Sequence, residues 1–385
     1  MKAARLAIIS THPIQYNAPL FEQLANNGKL QVKVFYTWSQ SQTGAKYDSG
    51  FGRVINWDIP LLSGYDYEFV ENVSPAPGTG HFKGIDNPQL IEKVAGFEPT
   101  TILLFGWAFK SHLALMRHFK GKVPILFRGD STLLNESGLL KKTARRIFLT
   151  WVYRYVDYAL YVGANNKDYF LKHGLKEKQL VLAPHAVDNN RFFANGEQLQ
   201  KDVVEWRSEL GLSDKDFVVL FAGKLEDNKN PFLILEAAEQ LKDEHVKFVI
   251  VGNGELEGKL KETAAANKNV IFVDFQNQGK MPLVYRLGDA FILPSQSETW
   301  GLAINEAMAC GRAVIASDRC GGAIDLIENG YNGYVFPHAN VEGLVTAVRE
   351  VKKNHAEMGR RSADRIKKWS FDNIVYAIEG LVAKL

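Results

Sequence analysis

The second half of the chain alternates short β-branched runs with helical stretches, and this alternation constrains the fold more than any other feature of the sequence. Phe217 to Ala222, Lys247 to Val251, Val270 to Phe275, Ala290 to Leu293 and Ala313 to Ala316 are apolar runs of strand length. Between them, Pro231 to Leu241, Leu256 to Ala266, Met281 to Leu287 and Leu302 to Ala309 carry helix formers. Such alternation predicts a parallel sheet covered by helices on both faces. In sheets of that kind ligands collect beyond the carboxyl ends of the strands, so the loops that follow the apolar runs are where function is expected.

The first half repeats the pattern less regularly, with strands predicted at Leu6 to Ile9, Val32 to Phe35, Thr101 to Phe105, Ile125 to Phe127, Tyr158 to Val162 and Val181 to Leu182. Thr37 to Gly84 forms a long insertion rich in aromatics and glycine; loops of that size are often functional, so it either shapes an acceptor pocket or decorates the surface. A chain of 385 residues suits two domains, each with its own core. The alternation pauses at Pro184 to Asn190, so the expected domains are 1–188 and 189–370, two α/β lobes facing each other across a cleft.

Composition removes several functions. A net charge of +3 is too small for a nucleic-acid surface. The one basic cluster, Lys141, Lys142, Arg145 and Arg146, runs into the apolar IFLTWVYRYV, which is either a helix packed on a sheet with one cationic face in water or an amphipathic helix resting on an anionic membrane. No apolar run is long enough to span a bilayer. The start, MKAARLAIISTHP, lacks the apolar core of a secretory signal and reads as a first strand. Cys310 and Cys320 have no metal-ligand spacing and suggest no disulfide framework. The expected location is cytoplasmic, with peripheral contact at the inner membrane face as a further option.

The segment Pro294 to Ser317 concentrates the candidate chemistry. Glu298 falls in the loop after the Ala290 strand, and Glu306 falls inside the helix that Gly311 terminates. Eight helical positions separate carboxylates by roughly 12 Å, too far to share one proton or one metal. They suit two grips on one long ligand. Between them, the N–H groups around Trp300, Gly301 and Leu302 open a helix, a favourable site for phosphate. FAGKLEDNKNP brings Lys224 and Lys229 to the carboxyl end of another strand. Asp214 and Asp216 lie at the opposite end and read as turn chemistry, so no metal is expected.

Gly252, Gly254 and Gly258 between strand and helix, with Asp274 further on, imitate a dinucleotide fingerprint, although Glu255 and Glu257 would place acid beside a pyrophosphate. In the first half, His12, Gln15, Tyr16 and Asn17 follow the first strand, and Trp107 ends another, where it is expected to stack on a sugar or lipid face. Arg128 and Asp130 leave a third strand. Arg128 is expected to hold an anionic acceptor or phosphate and Asp130 to orient an acceptor hydroxyl, with an internal salt bridge as the competing account.

Taken together, Glu298-x7-Glu306, Ala307 to Ala309, Gly311 and the apolar Val314 to Ser317 resemble the signature of the retaining glycosyltransferases of family 4, which have the GT-B fold of two Rossmann-like doubly wound domains. Thr-His-Pro-Ile-Gln-Tyr at Thr11 to Tyr16 resembles the first loop of a bacterial subgroup of that family. The resemblance implies Glu298 on the donor hexose, Thr299, Trp300, Gly301 and Leu302 beside the diphosphate, and Glu306 on the ribose. It further implies Gly223, Lys224 and Lys229 as the diphosphate clamp, with Lys224 where arginine is usual and Asn230 where glycine is usual. Gly252 would border the nucleotide, and Phe275 and Met281 would wall the base. Catalytic roles fall to Glu298, Lys224, Lys229, Asp130 and His12, and acceptor contacts to Gln15, Tyr16, Trp107 and Arg128. Pro184, Val187 and Asp188 resemble the end of the family's first domain, with His185 and Ala186 as departures, and a final helix at 371–385 is implied to pack back on that domain. Gly321, Gly322 and Asp325 resemble a Gly-Gly-x-x-Glu turn.

The implied activity is metal-independent transfer of a hexose from a nucleotide diphosphate sugar, UDP-sugar favoured, to a saccharide or lipid-linked acceptor of bacterial surface polysaccharide or lipopolysaccharide. No cofactor is implied. A sugar-nucleotide epimerase of the same fold, an NAD-dependent oxidoreductase using the Gly252 turn, and a silent nucleotide-binding scaffold are the alternatives.

Overall fold

The structure is a computed structural model and describes residues 4–42, 46–48, 53–134, 136 and 138–385. In chain order the strands are β1 (Ala4–Ser10), β2 (Leu30–Tyr36), β3 (Lys46–Asp48), β4 (Arg53–Ile55), β5 (Asp66–Phe69), β6 (Thr101–Phe105), β7 (Ile125–Arg128), β8 (Tyr158–Tyr161), β9 (Leu180–Leu182), β10 (Phe217–Ala222), β11 (Val246–Val251), β12 (Val270–Val273), β13 (Ala290–Leu293), β14 (Ala313–Ser317) and β15 (Gly333–Phe336). Two compact units divide the chain: Met1–Lys46, Ile59–Pro184 and Phe371–Leu385 form the first, Tyr47–Asp58 and His185–Ser370 the second.

The first unit holds a sheet in the order β5-β2-β1-β6-β7-β8-β9 and the second a sheet in the order β12-β11-β10-β13-β14-β15, with neighbouring strands parallel in both. Each begins in the middle, winds to one edge, and returns to wind to the other. The winding reverses between β1 and β6 and again between β10 and β13, which is where doubly wound sheets open a crevice for ligands. The central strands read as unbroken apolar runs because both faces are covered: Val218 to Phe221 and Ala290 to Ile292 are fully buried. Each buried Phe, such as Phe221, Phe248 or Phe291, contributes about 2 kcal/mol of apolar burial.

The last helix, Phe371–Val382, belongs to the first unit, where Glu379 accepts from Asn27 at 3.1 Å and Lys29 at 2.8 Å. The division of the chain falls at 184/185, just before the expected boundary at 188. His185 already belongs to the second unit because its carbonyl accepts Asn305 Nδ2 at 2.9 Å and its ring lies 5.7 Å from that of Trp300. Residues 47–58 also depart from expectation by joining the second unit, where Asn277 Nδ2 donates to the Asn56 carbonyl at 2.7 Å and the Gly279 N–H to the Asp58 carboxylate at 2.9 Å. The parts of the long insertion at 43–45 and 49–52 lie outside the described residues.

Candidate active site

The switch point of the second sheet assembles the candidate site from three loops. After β10, Gly223 and Lys224 lead into a short turn, Asp227–Lys229. Asn230 closes that turn in the left-handed region, φ 51° and ψ 49°, before the helix Phe232–Gln240 begins. Asparagine tolerates that conformation better than other residues with a Cβ, which lets it stand where glycine is usual. After β13, the Gln296 N–H donates to the Asn228 carbonyl at 2.8 Å and ties the two loops together. The third loop follows β14: the Glu298 N–H donates to the Arg319 carbonyl at 3.1 Å, and the Glu298 carbonyl accepts the Gly321 N–H at 3.0 Å. Glu298 is thereby held by its backbone on both sides, and its carboxylate meets the Lys229 ammonium. Neither partner is sealed off, since the side chains are 20% and 19% exposed.

Gly301 begins the helix Leu302–Ala309 with φ 95°, a conformation that a side chain would strain. The side chain of Trp300, whose main chain is expected beside the diphosphate, packs into the core. Its indole N–H donates to Asn305 Oδ1 at 2.8 Å, and only 3% of the residue is exposed. Its carbonyl accepts the Gly322 N–H at 2.9 Å, so the Gly321-Gly322 turn serves to brace the Glu298 loop. Glu306 is 2% exposed and accepts the Tyr285 hydroxyl at 2.6 Å. Thr299 is exposed and Leu302 half-buried beside it. Tyr285, Asn305 and the Asn228 carbonyl are the contributors that sequence reasoning missed. They carry no local signal because each acts on a partner distant in sequence or by its main chain.

The glycines of the Gly252 turn are explained by close packing of the chain. A Cβ on Gly252 would lie 2.0 Å from the Gly223 carbonyl oxygen, and one on Gly254 would lie 2.4 Å from that of Leu225. The Cβ side of both glycines is filled by the main chain of the loop after β10, with Leu225 N–H donating to the Asn253 carbonyl at 3.0 Å. Asn253 Oδ1 also takes the Phe275 N–H at 2.8 Å, which draws that residue out of the ladder and ends β12 at Val273 instead of Phe275. Met281 is buried at the start of the helix Met281–Leu287. Asp216 accepts from the Ser213 N–H and hydroxyl at 2.8 and 2.6 Å, as a turn residue does. Burial pushes both thiols, Cys310 and Cys320, up to about 12.

In the first unit, His12 follows β1 with Nδ1 2.9 Å from the Thr11 hydroxyl and its ring edge-on to Trp38 at 5.3 Å. Gln15 and Tyr16 lie in the turn before the helix Ala18–Asn26. Trp107 follows β6 and packs edge-on against Phe148 at 5.4 Å. Arg128 corrects an expectation. It is 5% exposed, and its guanidinium donates to the carbonyls of Ala183 at 2.7 Å and Pro184 at 3.1 Å, so its fork is occupied by the backbone that ends the first unit's central segment. Burial pushes Arg128 down to about 10 while the nearby Asp130 charge pulls the other way, so it stays a cation at neutral pH.

The sequence pattern did not single out His112. It is fully buried: Nδ1–H donates to the Gly106 carbonyl at 2.8 Å, which leaves Nε2 to accept the Thr37 hydroxyl at 2.9 Å. Burial pushes it down to about 4.

Residues 202–369 match the family model of the glycosyl transferases group 1. An uncharacterized glycosyltransferase of Methanocaldococcus jannaschii is 27% identical over 183 residues, 45% of this chain and 46% of that protein. The UDP-Gal:alpha-D-GlcNAc-diphosphoundecaprenol alpha-1,3-galactosyltransferase of Escherichia coli is 28% identical over 183 residues, 45% of each. The chain spans about half or less of the length of most curated relatives that it matches. Over its full length it superposes on Anabaena HepE in complex with UDP with a TM-score of 0.74 at 17% identity, covering 99% of this chain and 100% of the other. That likeness shows the fold, which is GT-B.

Proposed function

We propose that this chain is a retaining glycosyltransferase of family 4. It would move a hexose-type sugar from a nucleotide diphosphate sugar, UDP-sugar favoured, to a saccharide or lipid-linked acceptor in bacterial surface polysaccharide or lipopolysaccharide assembly on the cytoplasmic side. The observation that carries the reading is the meeting of Lys229 and Glu298 at the switch point between β10 and β13. The match over residues 202–369 covers both, the E. coli relative is named for a diphosphoundecaprenol-linked acceptor, and the Anabaena structure holds UDP.

In the proposed reaction the acceptor oxygen attacks the anomeric carbon on the face that the diphosphate leaves, and the departing phosphate oxygen takes the acceptor proton. Lys224, Lys229 and the start of the Leu302–Ala309 helix neutralise that phosphate. Glu298 fixes the hexose, Glu306 in the grip of Tyr285 meets the ribose, Gly223, Gly252 and Thr299 border the nucleotide, and Phe275 packs on its base. His12, Gln15, Tyr16, Trp107 and Asp130 serve the acceptor. No metal is required, because fixed cations supply the charge.

The test is to incubate the protein with an α-linked UDP-hexose and a lipid-linked saccharide and to read the anomeric coupling of the product by NMR. An α-linked product supports retention, and a β-linked one contradicts it. Isomerised donor without transfer would favour the epimerase.

A further inference from the structure

The helix Leu139–Tyr153 buries only its last turn and a half: Leu149, Val152 and Tyr153 enter the core of the first unit. The turns before them stand in water with large apolar side chains. Leu139 is 85% exposed, Leu140 88%, Ile147 69% and Phe148 44%. At 100° per residue, Leu140, Ala144, Ile147, Phe148 and Trp151 share one arc, and Leu149, Val152 and Tyr153 lie on the other side. The helix thus has two apolar faces: one enters the core, and the other rests on the core's margin only through Trp151 and leaves Leu140 and Ile147 in water. Phe148 carries the outer stripe on to Trp151 at 5.8 Å, and Trp151 to Tyr155 at 5.6 Å, a row of aromatics whose rings combine apolar bodies with polar edges.

The charges around this stripe have one sign. Lys141 borders it on one side, Arg154 and, further round, Arg146 on the other, and the helix contains no acid. Arg145 is partly engaged, since its guanidinium donates to the Tyr169 hydroxyl at 3.1 Å and lies 3.7 Å from Glu136. Lys141, Arg146 and Arg154 remain exposed. None of the described helices is long and apolar enough to cross a membrane.

We propose that the Leu139–Tyr153 helix docks the protein on an anionic lipid surface, with Leu140, Ile147 and Phe148 entering the acyl boundary and Lys141, Arg146 and Arg154 meeting the headgroups. Charge complementarity selects this occupant: a cationic rim around an exposed apolar stripe suits an anionic bilayer, whereas a second copy of the chain would bring like charges together. The inference goes beyond the sugar-transfer reading and stands on this helix alone.

Flotation of the intact protein with two vesicle types tests it, one of phosphatidylcholine alone and one of phosphatidylcholine mixed equally with phosphatidylglycerol. Binding to the mixed vesicles is expected, at least tenfold tighter than to the neutral ones and weakened by salt. Leu140→Asp with Ile147→Asp should lower it at least tenfold, and Lys141→Glu with Arg146→Glu should do the same, with melting temperature and UDP binding unchanged in both. Equal affinity for the two vesicle types, or no binding to either, overturns the proposal. So does a concentration-dependent dimer that Leu140→Asp abolishes, which would assign the stripe to a second copy. UDP binding serves only as a check on folding, so loss of the donor reading would leave this result intact.

Discussion

Lys229 and Glu298 stand 69 positions apart in the chain and meet as an ion pair where the loops after β10 and β13 come together. Each is largely withdrawn from water, so removing one leaves the other inadequately compensated. Lys229→Ala and Glu298→Ala are each expected to lower kcat/KM more than tenfold, a loss above about 1.4 kcal/mol. In a double-mutant cycle on stability, the pair should show coupling of about 0.5 to 3 kcal/mol. Steady-state kinetics and melting of the three variants check both statements.

Gly252→Ala is expected to cost about 3 kcal/mol, because its Cβ would press into the Gly223 carbonyl and its φ of 139° suits only glycine. Denaturant titration measures this. A Gly252→Ala variant of native stability would mean that the turn has room beside it and that close packing does not explain the glycine.

For Arg128 the expected loss is in stability. Arg128→Met leaves the carbonyls of Ala183 and Pro184 without their donors and should cost about 2 to 4 kcal/mol, with the acceptor KM of the folded enzyme unchanged. A raised KM at native stability would return Arg128 to the acceptor.

His112 makes stability depend on pH. Its folded value, about 4, lies below the ordinary 6.5, so the unfolded chain takes up a proton that the folded one refuses. The contribution is intact above pH 6.5 and is lost as pH falls toward 4, at most about 3 kcal/mol over that window. Denaturant titrations across this range should show the fall, and His112→Gln should flatten it.

The central strands of the second unit were legible in the sequence, and β10 and β13 lie at Phe217–Ala222 and Ala290–Leu293 as expected. Buried parallel strands are unbroken apolar runs, and that signal is local. Edge strands lack it: β5, Asp66–Phe69, is covered incompletely and reads as polar and aromatic residues in alternation, and β15, Gly333–Phe336, begins at a glycine. The long helix Val341–Ile366, interrupted at Asn354, was also not singled out. The glutamates and lysines of the candidate site could be named because each follows an apolar run. The partners of Arg128 and Trp300 could not, since Ala183 is 55 positions from Arg128 and Trp300 looks the same in a sequence whether it faces a ligand or a core.

Titration calorimetry with UDP, GDP and NAD on the wild-type protein and on Lys229→Ala tests the central claim most directly. A cationic pocket built for a pyrophosphate should bind UDP or GDP and lose at least tenfold in affinity without Lys229. Binding of NAD in place of either nucleotide, or UDP affinity indifferent to Lys229, would contradict it.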